Sequence, residues 1–127
     1  MVVSAHGKVC YVVIPAADAA RSAEFYRAVF GWTIRTRNHG GMAFDDGVEV
    51  SGTFVEGLPP AIDPGFRIYV MVADAEATLK RIVAHGGEIV EPVTPGAPEI
   101  VAHFRDPAGN LLGIYQDRAL AGRSTGA

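Results

Sequence analysis

The pattern of apolar and polar positions in this chain of 127 residues occurs twice. An apolar, β-branched run at 8–14 leads to Asp18, and a similar run at 66–72 leads to Asp74. Each aspartate is a favourable helix N-cap, and the apolar residues that follow it recur at intervals of three and four. Each copy therefore predicts a strand followed by an amphipathic helix.

The predicted helices end at glycines, Gly31 in the first copy and Gly86 with Gly87 in the second, because glycine readily adopts the left-handed conformation that closes a helix. Three short strand-like runs then follow in each copy. The segment 45–47, Asp-Asp-Gly, is typical of a tight hairpin, and the segment 106–110 has the composition of a turn, so we read Asp106 and Asn110 as turn residues. We therefore predict two tandem modules with the order βαβββ.

Length and composition predict a single domain. The segment 56–65 holds three prolines and is predicted to connect the two modules. The predicted boundaries are an N-terminal extension at 1–7, one domain at 8–117 that consists of modules 8–55 and 66–117, and a disordered tail at 118–127.

Composition narrows the classes of partner and the cellular location. The formal net charge is −3, with 20% charged residues, so no basic excess indicates nucleic acid. No apolar run approaches the length that a membrane helix needs, and the N-terminus does not resemble a signal peptide. Cys10 is the single cysteine, which excludes an intrachain disulfide and favours a cytoplasmic protein. Its apolar surroundings predict a small, buried side chain.

Two longer motifs resemble a known family. The segments Asp18–Trp32 and Phe104–Gln116 are similar to those of the vicinal oxygen chelate superfamily, which includes glyoxalase I, bleomycin-resistance proteins and extradiol dioxygenases. The resemblance covers 8–117. It implies an α+β fold in which two tandem βαβββ modules form an open curved mixed sheet around a cavity, with the helices outside. It also implies a homodimer.

The same resemblance implies where a metal ion would be held. The positions that match the ligands of the family's metal enzymes are Tyr11, Ser51 or Gly52, Arg67 and Gly113. Divalent metals prefer carboxylate, imidazole or thiolate ligands, and a guanidinium repels a cation. We therefore predict no metal and no other cofactor. A relocated metal site built on His103 and Glu49 remains an alternative.

Alternation along the strands assigns their faces. If Cys10, Val12 and Ile14 pack under the first helix, the residues between them face the cavity, and the same parity applies to the second module. The predicted ligand-binding residues are Tyr11, Val13, Trp32, Arg67, Tyr69, Met71, His103, Gly113 and Tyr115. The tyrosines could instead fill a core or a dimer interface, Trp32 could be a packing anchor, and Arg67 could be solvated or bind a ligand carboxylate.

These observations predict a metal-free protein that binds an aromatic or apolar small molecule in the concave cavity of the sheet, as bleomycin-resistance proteins hold drugs. Such binding needs shape, stacking and charge but no chemistry. The alternative is a glyoxalase-like lyase, isomerase or dioxygenase that uses relocated metal ligands or a Tyr/His acid–base group. The sequence does not decide whether the protein is an enzyme. The predicted partners are a small organic molecule and a second copy of the chain, without nucleic acid or membrane.

Overall fold

The computed structural model of the protein describes residues 5–38 and 40–117. The first four residues, His39 and the predicted tail at 118–127 lie outside the described part. The longer of the two described helices has 12 residues, and neither helix is long and apolar enough to cross a membrane. The elements are β1 (Tyr11–Ala16), α1 (Ala19–Phe30), β2 (Thr33–Thr36), β3 (Met42–Asp45), β4 (Ser51–Glu56), β5 (Tyr69–Val72), α2 (Ala75–Ala84), β6 (Glu88–Glu91), β7 (Val101–Arg105) and β8 (Leu111–Gln116).

The predicted α+β fold of two βαβββ modules is confirmed. Each module forms a four-stranded mixed sheet, with strand orders β1-β4-β3-β2 and β5-β8-β7-β6. The first strand of each module pairs in parallel with the last strand, and the other pairs are antiparallel. In both sheets the first strand is therefore an edge strand, and its outer side makes no ladder with another described strand.

Both helices begin where the repeat predicts, and α1 ends at Gly31 as predicted, whereas α2 ends at Ala84 with His85, the residue before Gly86, as its C-cap. The Asp18 side chain accepts a hydrogen bond from the backbone N–H of Arg21 at 3.2 Å, and Asp74 does the same for Ala77 at 3.0 Å. Gly31 follows α1 with a φ of 75°, a conformation that glycine adopts without steric cost. The two N-caps therefore have the same chemistry.

A second contact at the helix N-termini also occurs in both modules. The first helical N–H of α1, on Ala19, donates to the Glu56 carboxylate at 2.9 Å. The equivalent N–H of α2, on Ala75, donates to the Gln116 side chain at 2.8 Å. Glu56 is the last residue of β4 and Gln116 the last residue of β8. In each module the last strand therefore supplies the hydrogen-bond acceptor for the first backbone N–H of the helix, which has no acceptor within the helix.

The two helices lie between the buried faces of the two sheets. Phe25 and Phe30 of α1 lie with their rings 6.1 and 6.0 Å from that of Phe104, which belongs to β7 of the other module. α1 also contacts β3, β4 and α2. Since one helix contacts the buried faces of both sheets, the opposite faces point away from the helices and stay open. The shared core includes Ile14, Tyr26, Val29, Phe44, Phe54, Leu79, Ile82, Leu112 and Ile114.

A buried hydrogen-bond network joins α1 to the turn between β7 and β8. The Tyr26 hydroxyl donates to Asp106 Oδ2 at 2.8 Å, and Asn110 Nδ2 donates to the same oxygen at 2.9 Å. Asp106 Oδ1 accepts from the backbone N–H groups of Ala108 and Asn110. The predicted turn role of Asp106 and Asn110 is confirmed, because the carboxylate is fully engaged within the fold.

Both ends of β1 differ from the sequence prediction. β1 continues through Pro15 to Ala16, beyond the end of the predicted run at 8–14. The Pro15 carbonyl points away from β4 and accepts a hydrogen bond from Asn110 Nδ2 at 2.6 Å. The backbone nitrogen of Pro15 lies on the same outer side of the strand, so its lack of a hydrogen does not interrupt the β1–β4 ladder. Cys10 precedes β1 and is exposed, which corrects the expectation of a buried thiol.

The connection between the modules is bound to the second module. The Ala61 backbone N–H donates to Asn110 Oδ1 at 2.7 Å, and the Ala61 carbonyl accepts from the backbone N–H of Leu111 at 2.8 Å. The Arg105 guanidinium donates to the Ile62 carbonyl at 3.0 Å. The connecting chain is therefore held near the start of β8.

Candidate functional site

The open face of the first sheet carries an aromatic and an aliphatic side chain side by side on β1. Tyr11 lies opposite Ser51 and Val13 opposite Thr53 in the β1–β4 register. Both Tyr11 and Val13 are 49% exposed, whereas Ile14, on the other face of β1, is buried. The parity predicted for Tyr11 and Val13 therefore agrees with their placement.

The open face of the second sheet brings together most of the remaining predicted residues. Gly113 of β8 lies between Tyr69 of β5 and His103 of β7, and Met71 lies opposite Tyr115. Tyr69 is 45% exposed and Met71 is 58% exposed. The structure thus places these five predicted residues on one surface.

The Tyr69 ring covers Gly113. A Cβ atom at position 113 would clash with the Tyr69 ring, so glycine is required there for the ring to lie flat over the strand. The close approach that a strand glycine predicts is therefore made by a side chain of the same sheet. This arrangement directs the Tyr69 hydroxyl towards β7.

Tyr69 and His103 are in direct contact. The Tyr69 hydroxyl lies 2.6 Å from His103 Nε2, and the two rings meet edge to face with centroids 5.3 Å apart. On the other side of the imidazole, Nδ1 lies 2.7 Å from the Glu91 carboxylate. That oxygen is close to Nδ1 but out of line for a hydrogen bond, so the buried Nδ1 faces the carboxylate without an aligned hydrogen bond.

Trp32 lies apart from this surface, on the helix side of the first sheet. Its ring stacks between those of Tyr26 and Phe44, with centroid distances of 4.8 and 4.6 Å. These contacts support the packing role for Trp32. Trp32 also lines a groove, so a ligand in that groove would touch it.

The groove runs between the outer edges of β1 and β5 and has a volume of about 750 Å³. Its floor is the apolar core between the sheets, and its rim includes Asp46 and Glu49 of the β3–β4 hairpin. Burial raises the pKa of the Asp46 carboxyl, but hydrogen bonds from three backbone N–H groups lower it more, so its pKa lies below the usual range. The predicted residues that line the groove are Trp32, Tyr69 and Met71.

Arg67 precedes the strand on which it was expected. β5 begins at Tyr69, so Arg67 belongs to the connecting chain and is exposed. Its neighbour Phe66 is 95% exposed, so this stretch projects from the folded module. The structure therefore places Arg67 two residues before β5, outside the strand.

Sequence comparison identifies the family. The profile of the Glyoxalase/Bleomycin resistance protein/Dioxygenase superfamily matches residues 8–114. The chain belongs to this superfamily. A glyoxylase-like domain-containing protein from Didymella fabae is 30% identical over 124 residues, which cover 86% of this chain and 93% of that protein.

Solved structures of the superfamily fold superpose on most of the chain. The fosfomycin resistance protein FosX from Mesorhizobium loti matches with a TM-score of 0.71 and 16% identity, over 90% of this chain and 94% of its own. TnmS3, an antibiotic binding protein from a Streptomyces species, matches with a TM-score of 0.65 and 24% identity, over 89% of this chain and 98% of its own. At sequence identities of 16 and 24%, the similarity to these two structures shows the fold alone.

The residues at the superfamily's metal-ligand positions do not fit a divalent metal ion. Gly113 has no side chain and is covered by Tyr69, and Arg67 carries a positive charge outside the strand. Tyr11 lies opposite Ser51, which adds only a hydroxyl. These four positions therefore lack the carboxylate, imidazole and thiolate ligands that such a site needs.

The structure does not bring together the alternative ligands His103 and Glu49. Glu49 lies in the hairpin of the first module, and both ring nitrogens of His103 are in contact with Tyr69 and Glu91. Within 5–38 and 40–117, no three His, Cys, Asp or Glu side chains are grouped as metal ligands.

Sequence reasoning missed Glu91. A register shift between Ile89 and Glu91 places Glu91 opposite His103, whereas a regular ladder would place Val90 there. Such a β-bulge inserts an extra residue and redirects the side chains that follow it. Simple alternation along β6 gives the wrong face for Glu91, so no pattern in the sequence indicated the contact.

Proposed function

We propose that the protein binds a small aromatic or apolar organic molecule against the open sheet faces, without a metal ion. The observation that carries the proposal is the open face of the second sheet, where Tyr69, Met71 and Tyr115 surround Gly113. Exposed side chains of this kind are costly to leave in water and offer stacking and dispersion contacts to a ligand. The Tyr69 hydroxyl supplies a polar group that would orient it.

The chemistry of the superfamily's ligand positions supports binding without metal. A glycine, an arginine and a tyrosine replace the ligands that a divalent ion prefers. Metal analysis of the purified protein provides a direct check. Stoichiometric zinc, nickel, manganese or iron would contradict this part of the proposal.

We further propose that two copies of the chain join to close the cavity. Each chain leaves both sheet faces open and exposes the outer edges of β1 and β5. If the first sheet of one copy faced the second sheet of its partner, Tyr11 and Val13 would lie across from Tyr69 and Met71. A ligand would then contact both subunits, which would explain why each chain has two open sheet faces that do not enclose a cavity by themselves.

The names of two structural neighbours suggest the kind of ligand to test first. FosX is named a fosfomycin resistance protein and TnmS3 an antibiotic binding protein. An antibiotic-like natural product is therefore a sensible first class of ligand for this chain. A cytoplasmic location stays a prediction from the sequence.

A ligand screen by thermal unfolding tests the proposal. A ligand that binds the native state raises Tm, by an amount that grows with its concentration relative to Kd. We expect hits among aromatic natural products, and the change Met71→Ala should reduce their shifts. Val83→Ala, at an exposed position of α2, is the matched control and should leave them unchanged. The proposal is wrong if no compound shifts Tm while a substrate is turned over.

An enzymatic role is the second candidate, and the contact between Tyr69 and His103 favours it. A hydroxyl held by an imidazole that is itself next to a carboxylate is an arrangement that enzymes use for acid–base work.

A further inference from the structure

Three side chains on the open face of the second sheet form a continuous polar chain. Tyr69 Oη lies 2.6 Å from His103 Nε2, and His103 Nδ1 lies 2.7 Å from Glu91 Oε1. They come from three strands, β5, β7 and β6, so folding alone brings them together. Binding a ligand by stacking does not require the contacts between Tyr69, His103 and Glu91.

The position of Glu91 indicates which imidazole nitrogen carries the hydrogen, and so the direction of the hydrogen bond between Tyr69 and His103. A carboxylate only accepts hydrogen bonds, so the Glu91 side chain favours a hydrogen on Nδ1. In a neutral imidazole Nε2 then has no hydrogen and accepts from the Tyr69 hydroxyl. The remaining lone pairs of the Tyr69 oxygen are therefore available as acceptors.

Of these three side chains, Tyr69 is the one that would contact a molecule bound on the open face. The His103 side chain is 11% exposed, whereas Tyr69 as a whole is 45% exposed. The Glu91 side chain is 70% exposed and can realign towards Nδ1 without moving the strand. A molecule on the open face would thus reach the imidazole through the Tyr69 oxygen.

We propose that Tyr69, His103 and Glu91 form a proton relay that enolises an aromatic carbonyl compound bound on this face. The inference rests on the proposed binding of a small molecule there. The aromatic class follows from the tyrosine and methionine side chains of the face. Arg67, exposed in the connecting chain two residues before β5, suits a carboxylate on the same compound.

The proton transfers balance without any further reactant. A proton leaves the carbon next to the carbonyl for Tyr69 Oη, and the electron pair of the C–H bond forms the enolate. The original proton of Tyr69 moves to His103 Nε2, and the resulting imidazolium is paired with the Glu91 carboxylate. The reverse transfers return a proton to the carbon or to the oxygen of the enolate.

Exchange of carbon-bound hydrogen measures this step directly. Phenylpyruvate, an aromatic 2-oxo acid, is the probe, and loss of its benzylic proton signal in D₂O is followed by NMR. The wild-type protein should accelerate the exchange over buffer alone. Tyr69→Phe keeps the ring over Gly113 and should lower the protein-dependent rate by about 100-fold, the usual contribution of a positioned acid–base group.

The relay partners are tested by chemical rescue. His103→Ala should abolish the protein-dependent exchange, and added imidazole should restore it, because the free base can take the proton from Tyr69. A purely structural role for His103 would give no rescue. Glu91→Gln should slow the exchange, whereas Glu88→Gln, at the other carboxylate of β6, should not.

The outcomes separate this inference from the proposed binding function. No acceleration by wild-type protein, or full activity of Tyr69→Phe, overturns the relay. If ligands still raise Tm in wild type and in Tyr69→Phe under those conditions, the binding function stands alone. Thermal unfolding of each variant confirms that it is folded when its rate is measured.

Discussion

At the scale of the residue, the two tyrosines Tyr26 and Tyr69 show how burial separates structural from chemical roles. The Tyr26 hydroxyl is buried and donates to Asp106, whose other contacts lie within the same turn. The Tyr69 hydroxyl contacts His103 on an exposed face. The first hydroxyl stabilises the packing of the modules, and the second remains within reach of a bound molecule.

Removing the buried hydroxyl should destabilise the protein. Tyr26→Phe leaves the Asp106 carboxylate without one of its donors in the core, which costs about 1–3 kcal/mol. The free energy of unfolding in urea measures this loss. Tyr11→Phe, the same change at an exposed position, should stay within about 0.5 kcal/mol of wild type. Equal effects of the two variants would contradict the assigned role of Tyr26.

Tyr26 also predicts how stability depends on alkaline pH. Burial, followed by the Asp106 carboxylate, raises the pKa of Tyr26 well above its ordinary value of 10.0. Above pH 10 the unfolded chain releases this proton while the native state keeps it. The contribution of Tyr26 to the free energy of unfolding is therefore complete below pH 10 and declines above it, by up to about 1.4 kcal/mol per pH unit. Urea unfolding should show a shallower alkaline decline for Tyr26→Phe than for wild type.

At the scale of the element, the second sheet depends on two local irregularities. The bulge in β6 brings Glu91 opposite His103, and Gly113 in β8 leaves room for the Tyr69 ring. Neither feature changes the strand order. Both change which side chains meet on the open face, and so they determine the candidate site.

Two glycine substitutions should separate site geometry from stability. In Gly113→Ala the new Cβ meets the ring of an exposed side chain, which can swing away, so the cost should be below about 1 kcal/mol. In Gly52→Ala the Cβ meets the Val12 carbonyl and the buried Phe44 ring, so we expect a loss of about 2–3 kcal/mol. Urea unfolding measures both.

The same pair of variants tests the Tyr69–His103 contact. Gly113→Ala should remove the nuclear Overhauser effect between the Tyr69 and His103 rings, since the Tyr69 ring must move. An unchanged effect, or a stability loss as large as that of Gly52→Ala, would show that the Tyr69 ring stays in place and that the strand shifts instead.

At the scale of the whole molecule, the helices form an inner layer between the sheets. The open faces therefore point away from each other, and one chain does not enclose them. The apolar side chains on these faces include Tyr11, Val13, Tyr69 and Met71, each about half exposed. A second copy would cover them, which is the physical reason for the proposed dimer.

Sedimentation equilibrium should give the mass of two 13.4 kDa chains. Val13→Glu places a charge in the proposed interface and should shift the equilibrium towards monomer, because a buried unpaired charge is costly. Val83→Glu is the control, since Val83 is similarly exposed but lies on α2. A wild-type monomer at all accessible concentrations would contradict the dimer.

The candidate site was predictable where strands are regular. The alternation of side chains placed Tyr11, Met71 and Tyr115 on the open faces, because register partners share a face. It failed for Arg67, where β5 starts later than the apolar run, and for Glu91, where the ladder is interrupted. Strand ends and bulges depend on pairing partners that local sequence does not contain.

The sequence by itself determined the two modules, their element order and their helix ends, because periodicity and capping are local properties of the chain. Only the tertiary structure decided which faces remain open, that Trp32 packs between Tyr26 and Phe44, and that Tyr69, His103 and Glu91 meet. Those contacts join residues far apart in the chain, and long-range packing and strand register are not encoded in any short segment.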